Sequence, residues 1–266
     1  MVKPNVLLAG CGRMGGAMLR RWQELSLYKD VCIVEPAPIK VLAAKQVQDF
    51  SQIPEGFDPD VVVFAVKPQT LPDMIEDYAV YSGKGTLFVS IVAGKGIEFF
   101  EDNLGRQSSV VRCMPNTPAS IGEGVTVACP NYHVTDAQRE QAESLIGAVG
   151  EMLWVEEESL LDPVTALSGS GPAYVFLLME VMAEAGKKLG LDPKMADKLA
   201  RKTVIGSAAL AAQNKRQSPA RLRQNVTSPG GTTAAALEVL MGDEGIQKIF
   251  DKALKAAKER AEELSK

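Results

Sequence analysis

The chain contains a single histidine, His133, among 266 residues. Mechanisms and metal sites that need two or more imidazoles are therefore excluded, and no metal site is expected. Its four cysteines, Cys11, Cys32, Cys113 and Cys129, are scattered, with no C-x-x-C pair. That spacing argues against a disulfide framework or a structural zinc site and fits a reducing, cytoplasmic setting. Long apolar runs are also missing. The longest, such as Val61–Val66, are strand-sized, well short of the roughly 20 residues of a spanning helix. The opening MVKPNVLLAG has too short an apolar run for a signal peptide and leads straight into an expected strand. Positive charge is not in excess either: 29 Lys and Arg face 33 Asp and Glu, a net charge of −4. That balance attracts neither nucleic acid nor an anionic membrane, so neither is expected as a partner. Fixed-period repeats and low-complexity segments are absent as well. What is there is a globular balance, 46% apolar and 23% charged, in a length that suits one large domain or two modest ones.

The two halves of the chain carry different patterns. In the first, short β-branched runs at Val6–Ala9, Val31–Val34, Val61–Val66, Leu87–Val92 and Val110–Cys113 read as strands buried on both faces. Helical stretches are expected between them at Met14–Leu25, Ile39–Lys45 and Leu71–Tyr78. Val125–Ala128 and Met152–Val155 read as further strands around a helix from Asp136 to Val149. This alternation predicts an α/β fold, a doubly wound and mostly parallel sheet. From about Leu160 strand-like runs disappear. Helices are expected from Gly171-Pro172 to Leu189, from Asp192-Pro193 to Ala212, after Ser218-Pro219, from Thr232 or Thr233, and from Asp243 to Leu264. The boundary is placed between 155 and 168, giving domains of 1–160 and 161–266.

The sharpest local motif is Gly10-Cys11-Gly12-Arg13-Met14-Gly15, a G-x-G-x-x-G that follows the strand ending at Ala9 and opens a helix. In that context Gly10 permits the tight turn, Gly12 lets a pyrophosphate approach the backbone, and Gly15 lets helix and strand pack closely. The helix N-terminus offers N–H groups and a positive dipole end to phosphates. Glu35 ends the second strand, where an acid takes the adenosine ribose hydroxyls and repels a 2′-phosphate. That leans toward NADH. Ala65-Val66-Lys67-Pro68 and Ser90-Ile91-Val92-Ala93-Gly94 end the third and fourth strands. In open α/β sheets ligands bind beyond these carboxyl ends, so both turns are expected to flank the nicotinamide. Lys67 is either a solvated lysine or a cofactor-positioning one. Asn116, in Met114-Pro115-Asn116-Thr117-Pro118, either meets a ligand or stabilises the turn.

The segments GCGRMGGAML, AVKPQ, SIVAG, VVRCMPNTPASIGEGVT, TALSGSGPAYVF and NVTSPGGTTAAAL run in this order across nearly the whole chain. Together they resemble pyrroline-5-carboxylate reductase. The first is shared with many dehydrogenases, whereas MPNTP, SGSGPAY and TSPGGTT are specific in combination. The resemblance implies a Rossmann-type N-terminal domain and an all-helical, substrate-binding C-terminal domain. It further implies a homodimer through the helical domain, possibly assembled into decamers, and an NAD(P)H-dependent reduction of L-1-pyrroline-5-carboxylate to L-proline. It assigns Gly10 to Met14 to the pyrophosphate turn, and Ala65, Lys67, Ala93 and Asn225 to the cofactor; Ala9, Val66 and Pro68 beside them are further candidate cofactor residues. It assigns Ser228, Gly230, Gly231, Thr232 and Thr233 to the substrate, and Asn116, from its place in the strand-end loop, is counted with them as a candidate. Thr233 matches the threonine whose hydroxyl lies near the imine nitrogen. Two departures stand out. Many members bind NADPH with polar or basic residues where this chain has Glu35-Pro36-Ala37-Pro38, and a glutamate often precedes the Ser-Pro pair where this chain reads Asn214-Lys215-Arg216-Gln217.

The implied chemistry suits so few histidines. A protonated imine already carries its proton, so the enzyme supplies positioning rather than a strong acid. Thr233 then donates a hydrogen bond or relays a proton to nitrogen, or caps the following helix, roles that are compatible. Ser168-Gly169-Ser170-Gly171-Pro172 resembles a nucleophile loop but has no histidine partner, and capping with close packing is expected of it. Leu177, Leu178, Val181 and Met182 read as core or dimer interface, and His133 as a surface-loop residue. Lys252, Lys255 and Lys258 with Glu259 and Glu262 form a solvated face. Two alternatives stand: a β-hydroxyacid dehydrogenase, whose catalytic helix lysine Lys187 and Lys188 match poorly, and a non-catalytic dinucleotide-sensing regulator.

Overall fold

The computed structural model describes residues 3–39 and 44–265. Most of the helix expected at 39–45, and Lys40 within it, lies outside the described residues. Eight strands form one sheet: β1 (Asn5–Ala9), β2 (Asp30–Val34), β3 (Lys45–Val47), β4 (Val61–Phe64), β5 (Leu87–Ser90), β6 (Ser109–Met114), β7 (Gly124–Pro130) and β8 (Gly150–Trp154). Their order is β3-β2-β1-β4-β5-β6-β7-β8, and all neighbours are parallel except β6 and β7. The order reverses between β1 and β4, which makes the ends of those two strands the switch point of a doubly wound fold. The antiparallel pair has a direct cause. Residues 115–123 are too few for the crossover a parallel neighbour requires, so the chain turns back on itself.

Helices α1 (Arg13–Glu24), α2 (Ile97–Leu104), α3 (Asp136–Ile146) and α4 (Leu161–Val164) accompany the sheet. Trp22 of α1, fully buried, donates its indole N–H to the Leu145 carbonyl of α3 at 2.6 Å and ties the two helices over one sheet face. Phe64, Tyr78, Phe88 and Phe100 fill the other face. Thr135 and Gln138 close α3 with a reciprocal capping box. Three features depart from expectation. The stretch read as a helix at Leu71–Tyr78 forms two 3-10 segments, Leu71–Asp73 and Ile75–Tyr81, with Pro72 denying the first an N–H. Strand β3 and helix α2 carry no clear period and were not expected.

The remaining helices are α5 (Gly171–Lys188), α6 (Pro193–Gln213), α7 (Pro219–Asn225), α8 (Thr232–Leu240) and α9 (Ile246–Leu264). Asp192 and Ser218 cap α6 and α7 through their side-chain oxygens, each before a proline at the first helical position. The described residues divide into two compact units, one reaching Ser170 and including the chain from Ala257 onward, the other Gly171–Ala256. This division lies beyond the interval 155–168. The helical run Glu158–Lys188 spans 31 residues with a mean hydropathy of 1.3 in its most apolar stretch, of which 11% is buried. By length and composition it could cross a membrane, although its apolar stretches are interrupted and the sequence alone showed no candidate. A π-helical turn at Thr165–Gly169 lies within it, and the Ser168 hydroxyl donates to the Val164 carbonyl at 3.1 Å.

Candidate coenzyme and substrate sites

The sheet register builds the first site. Val34 pairs with Ala9, Ala9 with Phe64, Phe64 with Ser90, and Ser90 with Arg112, so one row crosses five strands. The residues that follow them, Glu35, Gly10, Ala65 and Ile91, therefore share the carboxyl edge. Gly10 has φ +89°, and a Cβ there would stand 2.7 Å from the Ala65 carbonyl oxygen. Only glycine fits, and its fit draws the turn against the Ala65-Val66 segment. At Gly15 a Cβ would meet the Gly10 carbonyl oxygen at 2.5 Å, so helix and strand pack backbone to backbone. A Cβ on Gly12 would meet nothing within 4 Å, so this face of the turn is open.

Gly12 caps α1 without a side-chain bond, and no acid occupies the first turn. Helix geometry leaves the N–H groups of Arg13, Met14 and Gly15 without intrahelical acceptors. An open face with free N–H groups at a helix start fits a pyrophosphate, and the residues present fit a dinucleotide. Glu35 stands beside it. Its carboxylate accepts from the Cys11 N–H at 2.8 Å and from the Ala37 N–H at 3.1 Å. Burial and the Glu35 charge both push the Cys11 thiol up from its ordinary value, which keeps it neutral. Lys67 and Ala93 are exposed beyond β4 and β5, with Val66 and Pro68 half-buried. The Lys67 carbonyl accepts from Thr70 N–H at 3.0 Å, closing the turn. Asn116 accepts the Val125 N–H at 2.9 Å through Oδ1, so its carbonyl stabilises the β6–β7 connection and Nδ2 is the part available to a ligand.

The second group of residues belongs to the helical unit. Gly231 N–H donates to the Ser228 carbonyl at 3.0 Å, with Pro229 and Gly230 between them and Gly230 at φ +68°. That is a type II turn built from the residues it favours. Gly231, not Thr233, then caps α8, which starts at Thr232. Thr233 is half-buried in the first turn, and its hydroxyl makes no hydrogen bond among the described residues. Ser228 and Thr232 are exposed beside it, and the N–H groups of this turn lack intrahelical partners. Asn225 ends α7, exposed, and donates Nδ2 to Gln217 Oε1 at 2.9 Å. Lys187 pairs with Glu184 on α5, a surface ion pair. His133 is half-buried in a loop against Tyr132. The four cysteines are free, and no group of three or more potential metal ligands occurs among the described residues. Sequence reasoning overlooked the N–H grip on Glu35 and the side chain of Gln46 behind it, because neither belongs to a motif.

The family profile described as pyrroline-5-carboxylate reductase dimerisation matches residues 158–264, and that described as NADP oxidoreductase, coenzyme F420-dependent, matches residues 5–94. A pyrroline-5-carboxylate reductase of Pseudomonas aeruginosa is 45% identical over 208 residues, 78% of this chain and 76% of that protein. The solved pyrroline-5-carboxylate reductase of Coxiella burnetii superposes with a TM-score of 0.92 at 37% identity, covering 99% of both chains. That of Plasmodium falciparum, solved with NADP bound, superposes with a TM-score of 0.84 at 27% identity, covering 100% of both. With the dinucleotide turn at the switch point and the Ser-Pro-Gly-Gly turn capping α8, the chain belongs to the pyrroline-5-carboxylate reductase family.

Proposed function

We propose that the chain reduces L-1-pyrroline-5-carboxylate to L-proline, with Thr233 at the reacting nitrogen and NADH as the preferred coenzyme. The observation that supports the reaction most is that one chain of this family carries both an open dinucleotide cradle, in its first unit, and a polar turn at a helix start, in its second. A reduced nicotinamide dinucleotide supplies the hydride to the imine carbon. Gly12 and the first-turn N–H groups of α1 take its pyrophosphate, and Ala65, Val66, Lys67, Pro68 and Ala93 line its nicotinamide end. The turn at Gly230 and Gly231, with Ser228 and Thr232, holds the substrate carboxylate: the Gly231 N–H closes the turn on the Ser228 carbonyl, and the Gly230 N–H, the first-turn N–H groups and the dipole of α8 favour an anion there. The protonated imine keeps its own proton, and the Thr233 hydroxyl donates to the lone pair that the ring nitrogen gains as hydride reaches the carbon and the C=N bond becomes single. Asn116 and Asn225 orient substrate and coenzyme through their free amide atoms.

Coenzyme choice follows from Glu35. Two N–H groups fix its carboxylate, and the remaining lone pairs suit the 2′- and 3′-hydroxyls of NADH. A 2′-phosphate about 4 Å away would be repelled by roughly 1 kcal/mol in water and about 4 kcal/mol at an effective dielectric of 20. Swinging the side chain into solvent would break both hydrogen bonds. The apolar side chains exposed along α5, Val175, Phe176, Leu177, Leu178 and Val181, fit burial against a second copy of the chain rather than lipid. Dimers of this kind, five of which make up a decamer, are the assembly we propose, in a cytoplasmic enzyme with no nucleic-acid or membrane partner.

The test is oxidation of NADH and NADPH with pyrroline-5-carboxylate, comparing the two kcat/KM values at one ionic strength for the natural protein and Glu35→Ser. Turnover with a ratio favouring NADH, shifted toward NADPH in the variant, is expected. No turnover with either coenzyme overturns the reaction, and an unchanged ratio overturns the role of Glu35.

A further inference from the structure

We propose that Gln46 is a positioning residue for coenzyme choice, holding the segment that carries Glu35 in the place where its carboxylate meets the ribose. The inference rests on the reading that Glu35 faces the adenosine ribose.

Gln46 sits in the middle of β3, an edge strand of three residues that, among the described residues, pairs only with β2. The register sets Gln46 opposite Ile33 and Val47 opposite Val34, and the Val47 carbonyl accepts the Glu35 N–H at 2.9 Å. Beyond that bond the ladder ends. The chain leaves the sheet through Pro36 and Pro38, neither of which has an N–H to donate. The Glu35 and Ala37 carbonyls and the Ile39 N–H are then left outside any ladder, and backbone groups so placed need partners. One side chain serves all three. Gln46 Nε2 donates to the Glu35 carbonyl at 2.7 Å and to the Ala37 carbonyl at 2.8 Å, and Oε1 accepts from the Ile39 N–H at 3.3 Å. Both donors and the acceptor of the amide are engaged with a single five-residue segment.

The geometry connects this brace to the carboxylate through Ala37. Its carbonyl is held by Gln46, and its N–H is one of the two donors that fix Glu35. A shift of Ala37 therefore moves a donor away from the carboxylate and leaves only the Cys11 N–H. Recognition of a diol by a carboxylate needs that group in one place, whereas a phosphate is repelled by it from any nearby position. Loosening the segment should thus weaken NADH more than it strengthens NADPH.

The experiment measures kcat and KM for both coenzymes in Gln46→Met, Gln46→Glu, Glu35→Ser and the double variant Glu35→Ser with Gln46→Met. Gln46→Met keeps length and removes the amide. Gln46→Glu keeps the acceptor for Ile39 and sets a carboxylate against two carbonyl oxygens, so a folding failure of one variant leaves the other. In either, KM for NADH is expected to rise roughly fivefold, as for the loss of one hydrogen bond, with kcat within about twofold. KM for NADPH is expected to change less, and the double variant to keep the coenzyme ratio of Glu35→Ser. An equal rise in both KM values would make Gln46 a merely structural brace and overturn the proposal. So would an unchanged ratio in the Gln46 variants when Glu35→Ser shifts it. If Glu35→Ser itself leaves the ratio unchanged, the reading of Glu35 fails first, and a ratio that still moves with Gln46 shows that any effect of Gln46 runs by another route.

Discussion

Thr233 illustrates how little a side chain needs to do for the fold in order to be free for chemistry. Gly231 takes the capping position of α8 and the Ser228–Gly231 turn closes on itself, so the Thr233 hydroxyl has no structural duty there. Replacing it with valine keeps shape and volume and removes the donor. Thr233→Val is expected to lower kcat by roughly a hundred- to a thousandfold, the range for a positioned hydrogen-bond or proton donor. Its Tm should stay near that of the natural protein, because no hydrogen bond of the fold is lost. Steady-state kinetics and a thermal melt together check this, and an unchanged kcat would remove Thr233 from the reaction. Glu35 is the opposite case, since its carboxylate is bonded to the fold at both oxygens and is also the group proposed to meet the ribose.

At the scale of elements, the carboxyl edge is braced from behind by a charge. Arg112 on β6 is almost wholly buried, with its side chain 5% exposed, and its Nη1 donates to Glu158 Oε1 at 2.7 Å. The same oxygen accepts the Ile97 N–H that opens α2 at 2.8 Å. Glu158 thus joins a central strand, a helix start and the beginning of the long helical run. Its removal strands a buried guanidinium whose Nε already lacks a partner among the described residues. Glu158→Ala is expected to cost about 3 kcal/mol, in the range for breaking a buried ion pair from one side. Denaturant unfolding measures it, and a loss below about 0.5 kcal/mol would place the pair with ordinary surface bridges.

At the scale of the whole molecule, the helical unit has too little bulk to cover its own apolar residues. Phe176 is 63% exposed and Val239 76% exposed, while the buried positions of α5 and α6 are the alanines Ala183, Ala196 and Ala200. Alanines bury where two helices pack closely, and the large residues face outward, a distribution that suits a subunit interface. Light scattering is expected to find a dimer or a multiple of it at micromolar concentration. Phe176→Glu should shift the population toward monomer. A natural protein that stays monomeric would contradict the proposed assembly.

Local chemistry was enough to read much of this protein in its sequence. Glycines at fixed offsets after a β-branched run, proline after a capping oxygen, and a specific Ser-Pro-Gly-Gly-Thr-Thr string each act within a few residues. Hence the turn at Gly10–Gly15, the starts of α6, α7 and α8, and most strands were legible with small boundary shifts. What escaped depends on distant partners. β3 is a strand only because β2 offers it an edge, α2 is short and starts where Glu158 receives its first N–H, and β7 turns antiparallel because its connection is short. Leu71–Tyr81 carries helical composition, yet Pro72 and the packing of Ile75 and Tyr78 tighten it into 3-10 turns. Residue identity alone put an acid at position 35. Only the tertiary structure brought the Cys11 and Ala37 N–H groups to its oxygens and Gln46 to the segment behind it, because these partners are set by strand register and not by neighbours in the chain.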